Sequence, residues 1–203
     1  MSVATAPTPL QPTAGVEARA VQALLVCVAR FGLAKTTLDD VAREARCSRA
    51  TLYRYFDGKP ELVRRTVAAE HARVTGLVVD AGRAAADFPA AVAVVTTTAA
   101  RALVAHDALQ FLLAHEPEAI LGHLAFGAGD RVLIAASDAI APAFDRWLAP
   151  VEAARLGDWL VRVLRSYVLM PRPPIDFTDP RTARSFLDQL VIPGFVPGPQ
   201  GSR

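Results

Sequence analysis

Between Arg46 and Lys59 the chain concentrates groups that can donate to a polyanion: Arg46, Ser48, Arg49, Thr51, Tyr53, Arg54, Tyr55 and Lys59. Guanidinium and ammonium groups neutralise phosphates, and hydroxyls hydrogen-bond the same oxygens. Arg49 or Arg54 has the fork for a bidentate contact to guanine. Ala50 or the Thr51 methyl has the size to meet a thymine methyl. Considered alone, Arg49 and Arg54 read as a solvated helix face, and Tyr53 reads as readily as a packing residue between helices. Their order within one short stretch is what points to a duplex.

The elements that must present these groups are legible in the surrounding pattern. Val21, Leu24, Leu25, Val28 and Phe31 recur at helical spacing, which predicts a helix over about 16–31, ended by Gly32. Thr37 caps a second helix with Asp39 and Asp40 in its first turn, where carboxylates favour the positive dipole end. Its inner face is Leu38, Val41, Ala42 and Ala45, and Ala42 is small enough for two helices to cross closely. Arg46 and Cys47 form the turn. Ser48 caps the third helix, where Leu52 and Phe56 point inward, and Asp57-Gly58 breaks it. Two short amphipathic helices joined by a tight polar turn are a helix-turn-helix, whose second helix enters the major groove.

Residues from about 17 to 66 resemble the DNA-binding domain of TetR-family transcriptional regulators. The residues that carry the resemblance are Phe31-Gly32, Thr36-Thr37, Val41-Ala42, Ser48, Thr51-Leu52-Tyr53, Tyr55-Phe56, Lys59 and Leu62. They cover roughly a quarter of the chain. The resemblance implies that Thr37, Tyr53, Tyr55 and Lys59 contact the DNA backbone. It further implies a homodimer on an operator, usually as a repressor, with a C-terminal domain that takes up a small molecule and releases DNA. The family commonly has Gly-Val before the serine, where this chain has Arg46-Cys47. Glycine suits a turn residue of positive φ, and arginine occupies that region at a small cost. Arg46 is then free to add a phosphate contact. Cys47 replaces a small aliphatic residue and reads as an inert core thiol or a redox switch.

Charge is distributed to suit this reading. Residues 17–65 hold ten Lys/Arg against six Asp/Glu, a net of +4, and residues 66–203 hold twelve against fourteen, a net of −2. The whole-chain net charge of +2 says little about partners. With 52% hydrophobic residues a sizeable core is available. Cys27 and Cys47 are too few for a disulfide scaffold and have no metal-site spacing, which fits a reducing, cytoplasmic setting. Residues 1–15, rich in Pro, Thr and Ala, read as a disordered tail. No run approaches the roughly 20 apolar residues of a membrane helix, so no membrane partner is expected.

Beyond a fourth helix over about 59–83, helices are expected at about 88–105, 107–114, 116–124, 129–148 (kinked by Pro142), 151–169 and 180–191, with an extended linker over 171–180. The expected fold is all-α. Its parts are a tail (1–15), a DNA-binding domain (16–66), a helical ligand-binding and dimerisation domain (67–192) and an irregular end (193–203).

In the larger domain, Phe88, Leu103, Leu109, Phe111, Leu112, Leu121, Leu124, Phe126 and Trp159 are candidates to line an apolar cavity, with ordinary core packing as the alternative for each. Few charged residues in these helices favour an apolar or acyl-chain-like ligand. Ile134, Ile140, Phe144, Trp147 and Leu148, with Leu156, Leu160, Val163, Leu164 and Tyr167, are candidates for a four-helix dimer interface or for packing within the chain. His106, His115 and His123, near Glu116 and Glu118, lack a His-x-x-x-His pair and a cysteine partner, so neither a metal nor another cofactor is expected. No nucleophile elbow, phosphate-binding loop, dinucleotide fingerprint or zinc-protease pair occurs. Two other classes compete with this reading: an all-α enzyme with an apolar active site, and a helical adaptor that binds no DNA. The adaptor has no need of Arg49, Tyr53, Arg54, Tyr55 and Lys59 in this order.

Overall fold

The computed structural model describes residues 15–124, 135–169 and 175–195, with backbone alone for 121–124. Among these residues every regular element is helical, so the fold is all-α. The chain divides into two compact units, and the boundary falls inside the fourth helix, after Glu70.

The first unit contains α1 (Val16–Phe31), α2 (Leu38–Glu44), α3 (Arg49–Tyr55), the start of α4 (Gly58–Arg83), α6 (Asp107–His115) and the beginning of α7 (Pro117–Leu124). Its core is built from the apolar stripes of the first three helices: Ala20, Ala23, Leu24, Cys27 and Val28 of α1, Val41 and Ala42 of α2, and Leu52 of α3, closed by Phe56 and Leu62. Leu52 and Leu62 are almost fully sealed, each contributing roughly 1.5–3 kcal/mol of burial. Ala42 keeps α1 and α2 close, as its size predicts. The structure groups α6 with α1, against which Ala108 is buried and Leu112 half-buried.

The second unit holds the rest of α4, α5 (Phe88–Val104), a helix described over 135–140 (α8), α9 (Pro150–Leu169) and α10 (Pro180–Leu190). Its core runs through Val78, Val92, Val95, Phe144, Leu156, Leu160 and Leu187. Phe88 meets Phe144 edge-on at 6.5 Å between ring centres and Trp147 at the same separation. A Cβ on Gly157 would lie 2.6 Å from the Ser137 carbonyl oxygen, so the bare glycine lets α9 cross α8 at backbone distance. The helix expected to reach residue 148 stops at Ile140 and tightens into a 3-10 turn over Ala141–Ala143. Pro142 explains this: it has no amide donor and its ring clashes with the preceding turn, so the chain ends the helix here instead of kinking it.

Candidate nucleic-acid interface

The reading head begins at the end of α1. Gly32 takes φ +83°, and a Cβ there would strike the Glu116 carboxylate and the Phe111 ring. Its carbonyl accepts from the buried Thr36 hydroxyl at 2.6 Å. The next two residues are clamped from both sides. Glu116, between α6 and α7, accepts from the Leu33 amide at 2.9 Å and the Ala34 amide at 3.0 Å through one carboxylate oxygen. Lys59 donates its ammonium to the Leu33 carbonyl at 2.6 Å.

Thr37 then opens α2 with a reciprocal capping box. The Asp40 amide donates to the Thr37 hydroxyl, and the Thr37 amide donates to the Asp40 carboxylate at 3.0 Å. The Thr37 hydroxyl also donates to that carboxylate, at 2.5 Å, and this bond first, then the one from the Thr37 amide, holds the Asp40 carboxyl below its usual pKa. At the other end the Cys47 amide reaches the Ala42 carbonyl at 3.0 Å and the Arg46 amide reaches the Arg43 carbonyl at 3.2 Å. This is a Schellman cap, and its left-handed residue is Arg46 at φ +54°. The turn between the two helices therefore has the geometry a glycine adopts easily, achieved with an arginine whose side chain is exposed.

Ser48 caps α3, its hydroxyl accepting from the Thr51 amide at 3.0 Å and lying 2.8 Å from the Thr51 hydroxyl. Leu52 and Phe56 face the core, which turns the remaining side chains outward. Arg49, Ala50, Tyr53, Arg54 and Tyr55 are exposed and Thr51 is half-buried. Tyr53, at 50% exposure, is a surface residue and not an interhelical packing residue. Arg49 donates to Asp39 at 3.2 Å and its guanidinium carbon lies 5.5 Å from the Tyr53 ring centre. The outer face of α3 is thus a solvent-facing helix bearing arginines and tyrosine hydroxyls, wide enough in chemistry for phosphates and base edges alike. Lys59 is half-buried. Its bond to Leu33 uses one of three ammonium donors, leaving two for a phosphate.

From its sequence context Glu116 is only a possible metal neighbour. Nothing local marks its role, because its amide partners lie 82 and 83 residues away in the chain. Burial raises the Cys47 thiol above its usual pKa, with Arg19 opposing, and burial also raises the buried Cys27.

The other expected sites fall differently. Leu109, Phe111 and Leu112 lie on α6 in the first unit, not among the helices of the second. Phe111 packs against His115 with the rings tilted by 50° and their centres 4.6 Å apart. Phe88 is part of the second unit's core, Trp159 is half-buried against that core, and Leu103 is half-buried. The side chains of Leu121, His123 and Leu124, and all of Phe126 and Ile134, lie outside the described residues. Ile140, Phe144, Leu156 and Leu160 are sealed inside the second unit, as are Leu148 and Leu164 near its edge. These side chains pack within their own chain. Phe144 and Trp147 also lie past the end of α8. Tyr167 is buried too, donating to Asp176 at 3.3 Å and packing on Phe177. Trp147 and Val163 remain half-buried.

No single helix among the described residues is long and apolar enough to cross a membrane. Residues 21–66, which contain the whole reading head from mid-α1 to the start of α4, match the family described as bacterial regulatory proteins, tetR family. Two HTH-type transcriptional regulators of Mycobacterium tuberculosis strains are each 30% identical over 170 residues, covering 82% of this chain and 78% of theirs. Among solved structures, the TetR family repressor AlkX of a Dietzia strain superposes with a TM-score of 0.67 at 19% identity, covering 92% of this chain and 96% of that one. The fatty acid degradation regulator FadR of Bacillus halodurans superposes at 0.53 and 16% identity, covering 87% and 96%. With the capped helix pair, the outward cationic helix and these relatives in agreement, the chain belongs to the tetR family of bacterial regulatory proteins and is a DNA-binding transcriptional regulator, not an enzyme.

Proposed function

We propose that the protein is a repressor that binds a palindromic operator as a homodimer and is released by a small apolar or acyl-chain-like molecule. The observation that carries this is the outer face of α3, where Arg49, Ala50, Tyr53, Arg54 and Tyr55 are exposed while Leu52 is sealed. Thr37, Tyr53, Tyr55 and Lys59 supply backbone contacts and Arg46 adds a phosphate contact, while Arg49, Ala50, Thr51 and Arg54, behind the Ser48 cap, meet base edges. Two such helices about one helical turn of DNA apart enter successive major grooves, which requires two copies of the chain. With the inner residues of α9 packed in the core, the interface is proposed to use the surface that Trp159 and Val163, four apart and so neighbours on a helix, leave half-buried at the edge of that core.

Release requires a ligand that binds a DNA-incompetent conformer more tightly than the competent one. The ligand class rests on the apolar composition of the second unit and on two structural neighbours. One is described as implicated in biodegradation of n-alkanes, the other as a fatty acid degradation regulator. Such a regulator works in the cytoplasm, where its DNA is.

In-vitro selection of duplexes by the full chain, followed by titration of the winner, tests the DNA reading. The expected result is an inverted repeat bound by two protomers, weakened steeply by salt. Enrichment of no sequence would defeat it. Adding an n-alkane or a long-chain fatty acid to the preformed complex tests the release step, and retention of the complex with both classes rejects the proposed ligand.

A further inference from the structure

Arg49 stands one residue past the Ser48 cap, at the first position of α3, and its guanidinium is held from two helices. Nη1 donates to the Asp39 carboxylate at 3.2 Å, Nη2 to the Tyr53 hydroxyl at 3.4 Å, and Cζ lies 5.5 Å from the Tyr53 ring centre. Asp39 comes from the first turn of α2, and Tyr53 from α3 itself, one turn on. Of the five N–H bonds of a guanidinium, these contacts engage two and leave three for DNA.

Asp39 and its neighbour Asp40 do different things. Asp40 is turned back onto the α2 cap, bonded to Thr37 and paired with Arg43 at 3.2 Å. Asp39 has no part in the cap and reaches across to α3. As a negative charge on a face that meets phosphates, Asp39 opposes binding to any duplex. An exposed ion pair also adds little to folding stability. What the pair does supply is a plane. An unsupported arginine at a helix start samples many rotamers, slips between phosphate and base, and loses that freedom on binding. Held by a carboxylate on one side and an aromatic ring on the other, its fork has a defined direction before DNA arrives, and bidentate recognition depends on direction.

We propose that Asp39 is a specificity-determining residue: through Arg49, and with Tyr53 as second support, it directs the guanidinium at one base edge of each half-site, guanine by its donor pattern. This rests on the reading of α3 as the base-reading helix. Asp39 is a positioning residue, since it acts through Arg49.

The test uses the full chain, the duplex obtained by in-vitro selection, and every single-base variant of it. Dissociation constants are measured for the wild type, Arg49→Ala, Asp39→Ala and the double variant. Arg49→Ala is expected to lose about tenfold or more of the discrimination at one base position per half-site. Asp39→Ala is expected to lose several-fold of the discrimination at that same position while binding unselected duplex more tightly. In the Arg49→Ala background, Asp39→Ala should change that discrimination no further. If Asp39→Ala instead tightens binding to every duplex equally, Asp39 is only a repelling charge and the proposal falls. It falls also if the loss persists without Arg49, which would mark a general disturbance of α2. If Arg49→Ala alters no base preference although the selected duplex is still bound, the base-reading role of Arg49 fails while the DNA-binding reading survives. Both carboxylate and guanidinium are more than half exposed, so the variants should fold, and a cooperative thermal transition at the wild-type temperature confirms it.

Discussion

The Lys59 ammonium donates to the Leu33 carbonyl oxygen at 2.6 Å, joining the start of α4 to the corner between α1 and α2. Lysine at the first turn of α4 is therefore already at work inside the protein before any DNA is present. Lys59→Ala should lower stability by about 1.5–3 kcal/mol, the range for losing a hydrogen bond to a charged group. If Lys59 also meets a phosphate, the same variant should reduce the salt slope of operator binding by about 1 per phosphate no longer neutralised. Thermal unfolding and binding titrations over a salt series separate the two effects. An unchanged slope with a lowered melting temperature would confine Lys59 to the turn.

The same corner is held from the other side by Glu116, whose carboxylate takes the Leu33 and Ala34 amides. Glu116→Ala leaves two amides without acceptors. It should cost about 1–3 kcal/mol if they stay dry, less if water replaces the carboxylate. Hydrogen exchange read at these two amides is the direct check: both should exchange faster in the variant, with α3 amides less affected.

Arg46 sits at φ +54° in the turn of the motif. Arg46→Gly relieves a left-handed strain of roughly 1–2 kcal/mol while raising the entropy of the unfolded chain by a somewhat smaller amount. Stability should stay level or rise by up to about 1 kcal/mol. DNA affinity should fall if the guanidinium reaches a phosphate, with the loss fading as salt is raised. Parallel denaturation and binding curves would show stability and affinity moving in opposite directions.

Asp40 is held below its usual pKa, first by its bonds to Thr37 and then by Arg43. A carboxyl depressed in the folded state stabilises at pH above its unfolded value, near 3.9, and that contribution drains away as pH falls through the folded value. Acid should therefore loosen the start of α2. Asp40→Asn should flatten the acid limb of the stability curve and leave its neutral plateau lower. A variant whose acid limb is as steep as the wild type's would remove Asp40 from that role.

Both thiols are pushed up by burial. Thiolate is the reactive form, so alkylation of Cys27 and Cys47 at neutral pH should be slower than for a free cysteine. Cys47→Ala should keep DNA binding and its indifference to mild oxidants. Loss of binding on oxidation of the wild type, absent in the variant, would instead support a redox switch.

The helix-turn-helix could be read without coordinates because everything that defines it is local. A cap bonds two or three residues away, an inner face repeats every three or four, and the turn spans Arg46 and Cys47. Thr37, Ser48, Leu52 and Phe56 accordingly stand where their types and spacing put them. Helix positions elsewhere followed from the same short-range rules, apart from the end of α8 at Ile140.

What an apolar residue faces is a different matter. Leu156 or Phe144 has the same pattern whether it closes its own core, lines a cavity or meets a second protomer, because burial is indifferent to which surface supplies it. Only the folded arrangement assigned those residues to the core, drew α6 onto α1, and brought Glu116 to the Leu33 and Ala34 amides. Such pairings depend on how distant helices meet, and that is settled by packing of the whole chain, not by any run of neighbouring residues.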